Sequence, residues 1–265
     1  MNRAAAVEVH HRVDGPDGAP PLLLSNSLGS ALAMWEPQAD ALSDRSRVIR
    51  YDHRGHGDSP VSPGPYGIED LGADALALLD RLGVSDAHVC GLSLGGLVAM
   101  WIATRAPERV RTVTLCCTTA WFGPPDPWLE RAAIVRAAGT DAVADTVVGR
   151  WFTPAFAAGH PDVIARMRAM IANTPSEGYA NCCGVVAGTD LRPDLGSIRA
   201  PTLVIAGAQD PAVTPAVAAD LAAAIPGARL EVIDPAAHLA NVERPDVVTG
   251  LILEQLNRAT PEEEP

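Results

Sequence analysis

The sequence contains no lysine, and all 20 of its basic residues are arginine. This absence excludes enzymes that hold pyridoxal or a carbonyl substrate as a Schiff base on a lysine amine. It also excludes nucleotide hydrolases that bind phosphates through the lysine of a phosphate loop. With 32 acidic residues the net charge is -12, which repels nucleic-acid backbones and anionic membrane surfaces. We therefore expect neither nucleic acid nor a membrane as a partner.

Long apolar runs and metal-binding cysteine spacings are also missing. No run reaches about 18 uncharged apolar residues, so no transmembrane helix is expected. Residues 1–14 lack the apolar core of a secretory signal. The five cysteines show no CxxC spacing, and their odd number argues against a disulfide framework. We expect reduced cysteines, used as small apolar residues, in a cytoplasmic protein.

Short apolar runs alternate with helical patterns in the first half of the chain and again near its end. Each run is four to seven residues long, which is too short for a helix and typical of a strand buried on both faces. Repeated strand–helix–strand units indicate a parallel sheet covered by helices on both faces. The predicted strands are residues 21–24, 47–51, 87–90, 110–116, 202–206 and 229–233. The predicted helices between them are residues 34–42, 68–82, 97–105, 215–224 and 245–256.

The alternation stops between residues 121 and 190. This stretch contains no convincing buried strand, and prolines punctuate its helical patterns, which are residues 128–138, 141–151 and 161–172. We interpret 121–190 as a helical cap inserted into an α/β core formed by residues 1–120 and 191–265. The acidic residues 261–265 are expected to be a frayed, solvated tail.

A pattern typical of a nucleophile follows the predicted strand 87–90. Gly91-Leu92-Ser93-Leu94-Gly95 fits G-x-S-x-G, in which the turn is so tight that side chains at the two glycine positions would collide. The turn lifts the Ser93 hydroxyl above the sheet edge, where the N–H of Leu94 can stabilise an oxyanion. By itself the pattern also fits an idle glycine-rich turn, but its position between a strand and a helix favours the nucleophile.

A serine hydroxyl needs a base in contact before it can attack. His238 follows the last predicted strand, and Asp210 follows the strand 202–206. Because parallel strands end at one edge of the sheet, both side chains should reach Ser93. The alternatives are a loop histidine bonded to backbone and an aspartate that makes a turn or caps a helix. The order Ser93, Asp210, His238 favours a catalytic triad.

Five blocks resemble the signature blocks of the α/β-hydrolase superfamily, and they occur in the family order. They are Asn26–Gly29, Tyr51–Ser59, Gly91–Gly96, Gly207–Pro211 and Ala237-His238. Within the superfamily the chain most resembles the 3-oxoadipate enol-lactonases of aromatic-compound degradation. Four softer motifs suggest this narrower likeness: Leu24–Gly29, Arg150–Pro154, Asn181–Cys183 and Pro235–Asn241.

The resemblance implies roles for two further loops. In Asn26–Gly29 it implies that the N–H of Leu28 is the second oxyanion donor, although an ordinary Asx turn is the alternative. The block 52–59 is rich in His, Asp and Arg, yet we interpret it, with His53 and His56, as structural. In this interpretation Asp52 and Arg54 pair across a sharp turn. The cysteines, Cys90, Cys116, Cys117, Cys182 and Cys183, are expected to fill the core.

The resemblance implies a serine hydrolase that opens a carboxylate-bearing enol-lactone and needs neither a metal nor an organic cofactor. Ser93 would attack the carbonyl, His238 would accept its proton, and Asp210 would orient the imidazole. The alternatives are a general carboxylesterase or cofactor-free perhydrolase of the same fold, and a ligand receptor with a vestigial triad. The expected partner is a small lactone or ester, and the sequence leaves open whether the chain forms a homo-oligomer.

A substrate carboxylate requires a local cation in a protein of this net charge. Since lysine is absent, that cation should be an arginine, whose planar fork suits a carboxylate. We prefer Arg131, because Trp128 lies three residues earlier on the same helix face, and we expect Trp151 with Phe152 to form an apolar wall. The full set of candidates is Arg131, Arg136, Arg150, Arg166, Arg168 and Arg192, each of which could instead lie on a solvated face.

Overall fold

The protein is described here by a computed structural model that covers residues 6–258, so the predicted tail 261–265 lies outside the described residues. Within them, seven strands form one sheet. The strands are β1 (His11–Asp14), β2 (Pro21–Ser25), β3 (Arg47–Tyr51), β4 (Ala87–Leu92), β5 (Val110–Cys116), β6 (Thr202–Gly207) and β7 (Arg229–Ile233). Their order is β1-β3-β2-β4-β5-β6-β7, with every pair parallel except β1 and β3.

Helices connect these strands and extend beyond the last one. They are α1 (Glu36–Leu42), α2 (Ile68–Arg81), α3 (Leu94–Arg105), α4 (Asp126–Ala138), α5 (Asp141–Trp151), α6 (Pro154–Gly159), α7 (Pro161–Ala172), α8 (Ser176–Gly188), α9 (Pro215–Ala224), α10 (Ala240–Glu243) and α11 (Pro245–Asn257). Three short 3₁₀ helices lie at Leu32–Trp35, Pro107–Arg109 and Arg192–Ser197. Among the described residues, no helix combines the length and apolar character needed to cross a bilayer.

The apolar strands explain why helices cover the sheet. Every residue of β4 and of β6 is buried, which requires cover on both faces of the sheet. Helix α1 packs against α11, and α2 packs against α3, so the helices cover the sheet in two groups. All six predicted strands are confirmed. Strand β1 was missed because it is a short antiparallel edge strand, His-Arg-Val-Asp, that is only partly buried.

Helices α4 to α8 lie between β5 and β6 in the chain, where the sequence predicts an inserted cap. They pack on one another, α4 against α8 and α5 against α7. Helix α8 escaped prediction because it is buried on nearly all sides from Gly178 to Cys183, so it shows no amphipathic periodicity. The predicted boundaries of this cap at residues 121 and 190 stay a prediction.

The turn after β3 differs from the expectation drawn from its sequence. Buried Arg54 donates through Nε and Nη2 to the two carboxylate oxygens of Asp74 in α2, at 2.6 and 2.7 Å. Asp52 instead accepts the N–H of Leu32 at 2.6 Å. The predicted pair between Asp52 and Arg54 is therefore wrong. The long guanidinium side chain reaches past its own turn to a carboxylate that is equally buried.

Breaking the buried pair should destabilise the fold, because the buried Arg54 guanidinium then keeps only the more distant carboxylate of Asp70, 4.0 Å away, as an ionic partner. We expect Asp74→Asn to lower the free energy of unfolding by about 3–5 kcal/mol, measured by urea denaturation. The matched control is Asp80→Asn, because Asp80 bonds Arg109 at 2.7 Å but is exposed. It should cost less than about 1 kcal/mol. Equal losses in the two variants would contradict this account of Asp74.

Candidate active site

Ser93 occupies a strained turn between β4 and α3. Its φ is +56° and its ψ is -114°, a conformation that side-chain-bearing residues rarely adopt. A Cβ at Gly91 would lie 2.0 Å from the carbonyl oxygen of Gly95, and a Cβ at Gly95 would lie 2.1 Å from that of Ser25. Both glycines are therefore required for the turn, as the motif predicts.

His238 and Asp210 come together at the same edge of the sheet. The Nδ1 atom of His238 lies 2.7 Å from Oδ2 of Asp210, and both side chains are buried. The other oxygen of Asp210 accepts the N–H groups of Ala212 and Val213 at 2.7 and 3.1 Å. The carboxylate is thus held rigidly by backbone while it orients the imidazole.

The surroundings of His238 set its titration. Burial lowers the pKa of His238, but the charge of Asp210 and its hydrogen bond outweigh that effect. The pKa therefore lies above the ordinary value of 6.5. A base whose pKa lies near the working pH can accept a proton and later return it.

Ser93 and His238 both line one cavity of about 250 Å³, which we call the Ser93 cavity. A volume of this size suits a small molecule rather than a polymer. Its remaining lining residues come from the loop after β2, from the inserted helices and the loop that leads into them, and from the turn that follows β6. They are Ser27, Leu28, Phe122, Pro124, Pro127, Trp128, Arg131, Val147, Arg150, Trp151, Tyr179 and Ala212.

Two backbone N–H groups are suited to hold an oxyanion. The N–H of Ser27 donates to Sδ of Met34 and that of Gly29 to Nε2 of His56, whereas the N–H of Leu28 has no partner within residues 6–258. Leu94 is the first residue of α3, so its N–H has no acceptor within that helix. Their assignment as oxyanion donors stays a prediction.

The two histidines of the turn after β3 support the loop that carries Leu28. His53 bonds the carbonyl oxygen of Asn26 through Nε2 at 3.0 Å, and His56 accepts the N–H of Gly29 at 3.0 Å. Burial lowers the pKa of His53 to about 4 and that of His56 to about 3. Both rings therefore stay neutral near pH 7 and position the loop.

The preferred cap residues meet in the Ser93 cavity. Arg131 and Trp128 both line it, with the guanidinium carbon 4.6 Å from the centre of the indole ring. Arg131 is half-buried, and Arg150 lines the same cavity from an exposed position. Trp151 also lines the cavity, but Phe152 stacks on Phe156 at 5.2 Å outside it. The expectation for Phe152 is wrong because the chain turns away at the end of α5.

The other candidate arginines are neutralised elsewhere. Each forms an ion pair with a carboxylate, namely Arg136 with Glu177, Arg166 with Glu36, Arg168 with Asp141 and Asp145, and Arg192 with Asp190. Within residues 6–258, Arg131 and Arg150 have no acidic partner. An anion entering the Ser93 cavity therefore meets two available cations.

Sequence reasoning missed Tyr179, which lies in the unpredicted helix α8. It is fully buried, lines the Ser93 cavity, and its hydroxyl finds no well-formed hydrogen bond among residues 6–258. Burial raises the pKa of Tyr179 to about 12, against the opposing charge of Arg131 beside it. Tyr179 thus offers a neutral hydrogen-bond donor next to the cation. Its rarity, as one of three tyrosines, was the only signal in the sequence.

Comparison with known proteins decides the family. The family model for the alpha/beta hydrolase fold matches residues 20–245 of the chain. The chain belongs to the α/β-hydrolase fold family. The predictions of this fold and of an ester hydrolase are confirmed.

This α/β hydrolase is similar to several named relatives and solved structures. It is 43% identical to 3-oxoadipate enol-lactonase 2 of Acinetobacter baylyi, over 91% of this chain and 90% of that protein. The crystal structure of an enol-lactonase from Burkholderia xenovorans is 45% identical, with a TM-score of 0.93 over 96% of this chain and 99% of that one. A protein of Azorhizobium caulinodans named as the carbamate hydrolase RutD is 35% identical, over 88% of this chain and 89% of that protein. The likeness to enol-lactonases is therefore confirmed at the level of sequence and fold.

The pH dependence of this hydrolase should report His238. Because only neutral imidazole can accept a proton, kcat/KM for an activated ester should rise with pH along one limb. The midpoint should lie above 6.5, since the pKa of His238 is raised. Asp210→Asn removes the charge that raises it, so the limb should move to lower pH and kcat should fall by about 10⁴. An unmoved limb would show that Asp210 does not act on His238.

Proposed function

We propose that this hydrolase opens 3-oxoadipate enol-lactone to 3-oxoadipate in the degradation of aromatic compounds, through a triad of Ser93, His238 and Asp210. The observation that carries the proposal is that two arginines with no acidic partner among residues 6–258 line the same cavity as Ser93 and His238. The identity to enol-lactonases over nine-tenths of the chain supports the same substrate.

The geometry suits an acyl-enzyme reaction. His238 accepts the proton of Ser93 as its oxygen attacks the lactone carbonyl, and the N–H groups of Leu28 and Leu94 stabilise the oxyanion. Collapse breaks the ring C–O bond and expels an enolate oxygen, which takes the proton back from His238. The enol tautomerises to the ketone of 3-oxoadipate. Water gives a proton to His238 as its oxygen attacks the acyl ester on Ser93, and His238 passes that proton to the Ser93 oxygen as the carboxylic acid leaves. Asp210 stabilises the imidazolium in both halves of the reaction.

The carboxylate of the substrate is assigned to Arg131. This guanidinium is half-buried over Trp128 and lies beside the hydroxyl of Tyr179, which has no well-formed hydrogen bond among residues 6–258. Two donors therefore converge on one part of the cavity. A desolvated cation and a buried hydroxyl both gain from an anionic acceptor. Arg150, which is exposed, lies where it can attract the anion as it enters. Trp151 covers the apolar ring.

The carbamate hydrolase relative makes a second substrate worth testing. A carbamate would use the same nucleophile and oxyanion donors, and the esterase and perhydrolase alternatives would use them as well. What separates the enol-lactone from a simple ester is its free carboxylate, which lies on the leaving-group side of the scissile bond. The discriminating measurement is therefore the dependence of each reaction on Arg131.

Removal of the nucleophile tests the triad. Ser93→Ala should lower kcat by on the order of 10⁶ on both the enol-lactone and p-nitrophenyl acetate, because the triad acts as a unit. The thermal midpoint should stay near the wild-type value, since the hydroxyl faces the cavity and not the core. If the variant keeps more than about a tenth of the activity, Ser93 is not the nucleophile.

Replacement of the proposed carboxylate ligand tests the substrate. Arg131→Met should lower kcat/KM for the enol-lactone roughly 30-fold, because it removes a charge-assisted hydrogen bond. This fall corresponds to a loss of about 2 kcal/mol in transition-state stabilisation. Hydrolysis of p-nitrophenyl acetate, which is neutral, should change little. Arg136→Met is the matched control, as Arg136 lies on the same helix but pairs with Glu177. Equal effects of Arg131→Met on the two substrates would refute the carboxylate site.

A further inference from the structure

A buried carboxylate lies behind the catalytic histidine and is not used by the proposed reaction. Glu243, the last residue of α10, is 7% exposed. Its Oε2 accepts the N–H of Ala237 at 2.9 Å, directly before His238 in the chain. Its two oxygens also accept the N–H of Thr153 at 3.3 Å, and Oε1 accepts the hydroxyl of the same residue. All of these donors are neutral.

Thr153 joins this carboxylate to the inserted helices. It is the N-cap of α6, and it follows Trp151 by two residues. Trp151 lines the Ser93 cavity, and its carbonyl oxygen accepts the N–H of Leu239 at 2.9 Å. The residues on both sides of His238 are therefore bonded to the segment 151–153, one directly and one through Glu243.

A carboxylate is a costly choice for a purely structural contact. Burial of an ionised group is unfavourable unless several donors satisfy it, and here three neutral donors from two separate segments do so. Those segments are the cavity wall and the backbone that carries the catalytic base. A group that bonds both at once makes the position of one depend on the position of the other.

We propose that Glu243 is a positioning residue that couples the cavity wall at Trp151 to His238. When Trp151 is held in place, by its own packing or by substrate against the indole, Thr153 and Glu243 hold the N–H of Ala237 and so the imidazole beside Asp210. The proposal rests on the proposed function, since it assumes that His238 is the base. It assigns no contact between Glu243 and substrate.

The test uses the full-length chain with p-nitrophenyl acetate and the enol-lactone. Thr153→Val removes the hydroxyl that Glu243 accepts without changing any charge, and Glu243→Gln removes the charge. Both should lower kcat roughly 10- to 100-fold with little change in KM, because misplacement of a catalytic group costs turnover. Thr153→Val should also move the pH limb to lower pH. If the imidazole is held less firmly, its hydrogen bond to Asp210 weakens, and the pKa of His238 falls toward its ordinary value. Thr153→Ser, which keeps the hydroxyl, should restore both properties.

The matched control is Thr140→Val. Thr140 is a buried threonine of the same insertion, and its hydroxyl donates to the carbonyl oxygens of Ala172 and Thr174 at 3.0 and 2.9 Å. Its loss should leave kcat and the pH limb unchanged at a temperature where every variant is folded by circular dichroism. Equal effects in Thr140→Val and Thr153→Val would show that only the stability of the insertion matters, and would overturn the coupling.

A double-mutant cycle gives the decisive comparison. If Glu243 and Thr153 form one connection, the variant that combines Glu243→Gln and Thr153→Val should lose no more kcat than Glu243→Gln alone. The proposal would be overturned if the losses of kcat in the two single variants added up in the double variant. It would also be overturned if Thr153→Val kept the kcat and the pH limb of the wild type. Activity in Ser93→Ala or His238→Ala would instead show that the proposed function fails. The two failures are thus distinguishable.

Discussion

The close approach of helix α3 to strand β2 is the constraint on which the site depends. The backbone at Gly95 is so near the carbonyl oxygen of Ser25 that a Cβ there would lie 2.1 Å away. This contact forces the tight turn that places Ser93 at φ +56° and lifts its hydroxyl to the edge of the sheet. It also brings the loop after β2, with Leu28, to the same cavity as Ser93. One close contact between α3 and β2 therefore positions both Ser93 and the loop that faces it.

Charge is distributed unevenly over the molecule. The net charge is -12, yet among the described residues the Ser93 cavity is lined by two arginines and by no aspartate or glutamate. The other cap arginines are paired with carboxylates at the surface, where ion pairs contribute little to stability. Arg131 and Arg150 are thus the cations of the insertion that a ligand can still engage. An overall acidic enzyme can select an anion in this way, because a local cation in a partly desolvated cavity outweighs distant screened charges.

Hydrogen bonds from several segments hold the proposed catalytic residues and the loop that faces them. Asp210 is held by two backbone N–H groups, the loop of Leu28 is held by two neutral histidines, and the segment of His238 is bonded to the inserted helices. Such outer bonds decide whether a side chain stays in its productive orientation. They come from parts of the chain that are far apart in sequence, so they make the site a property of the whole fold.

The sheet, the tight turn at Ser93 and the order of Ser93, Asp210 and His238 along the chain all follow from the sequence alone. Short apolar runs bounded by turn residues are typical of central strands, and Gly91 and Gly95 are the residues that so tight a turn requires. Local patterns failed where burial removed periodicity, as in helix α8 with Tyr179, and where an edge strand was short and polar, as in β1.

Tertiary structure alone decided the partners of the charged residues. Arg54 bonds Asp74 rather than Asp52, and only the packing of the insertion separates Arg131 from Arg136 as a cavity residue. Which carboxylate a long arginine side chain reaches depends on distances between segments that no local pattern encodes. The same holds for Glu243, whose bonds to Thr153 and Ala237 join residues that lie 90 and six positions away along the chain.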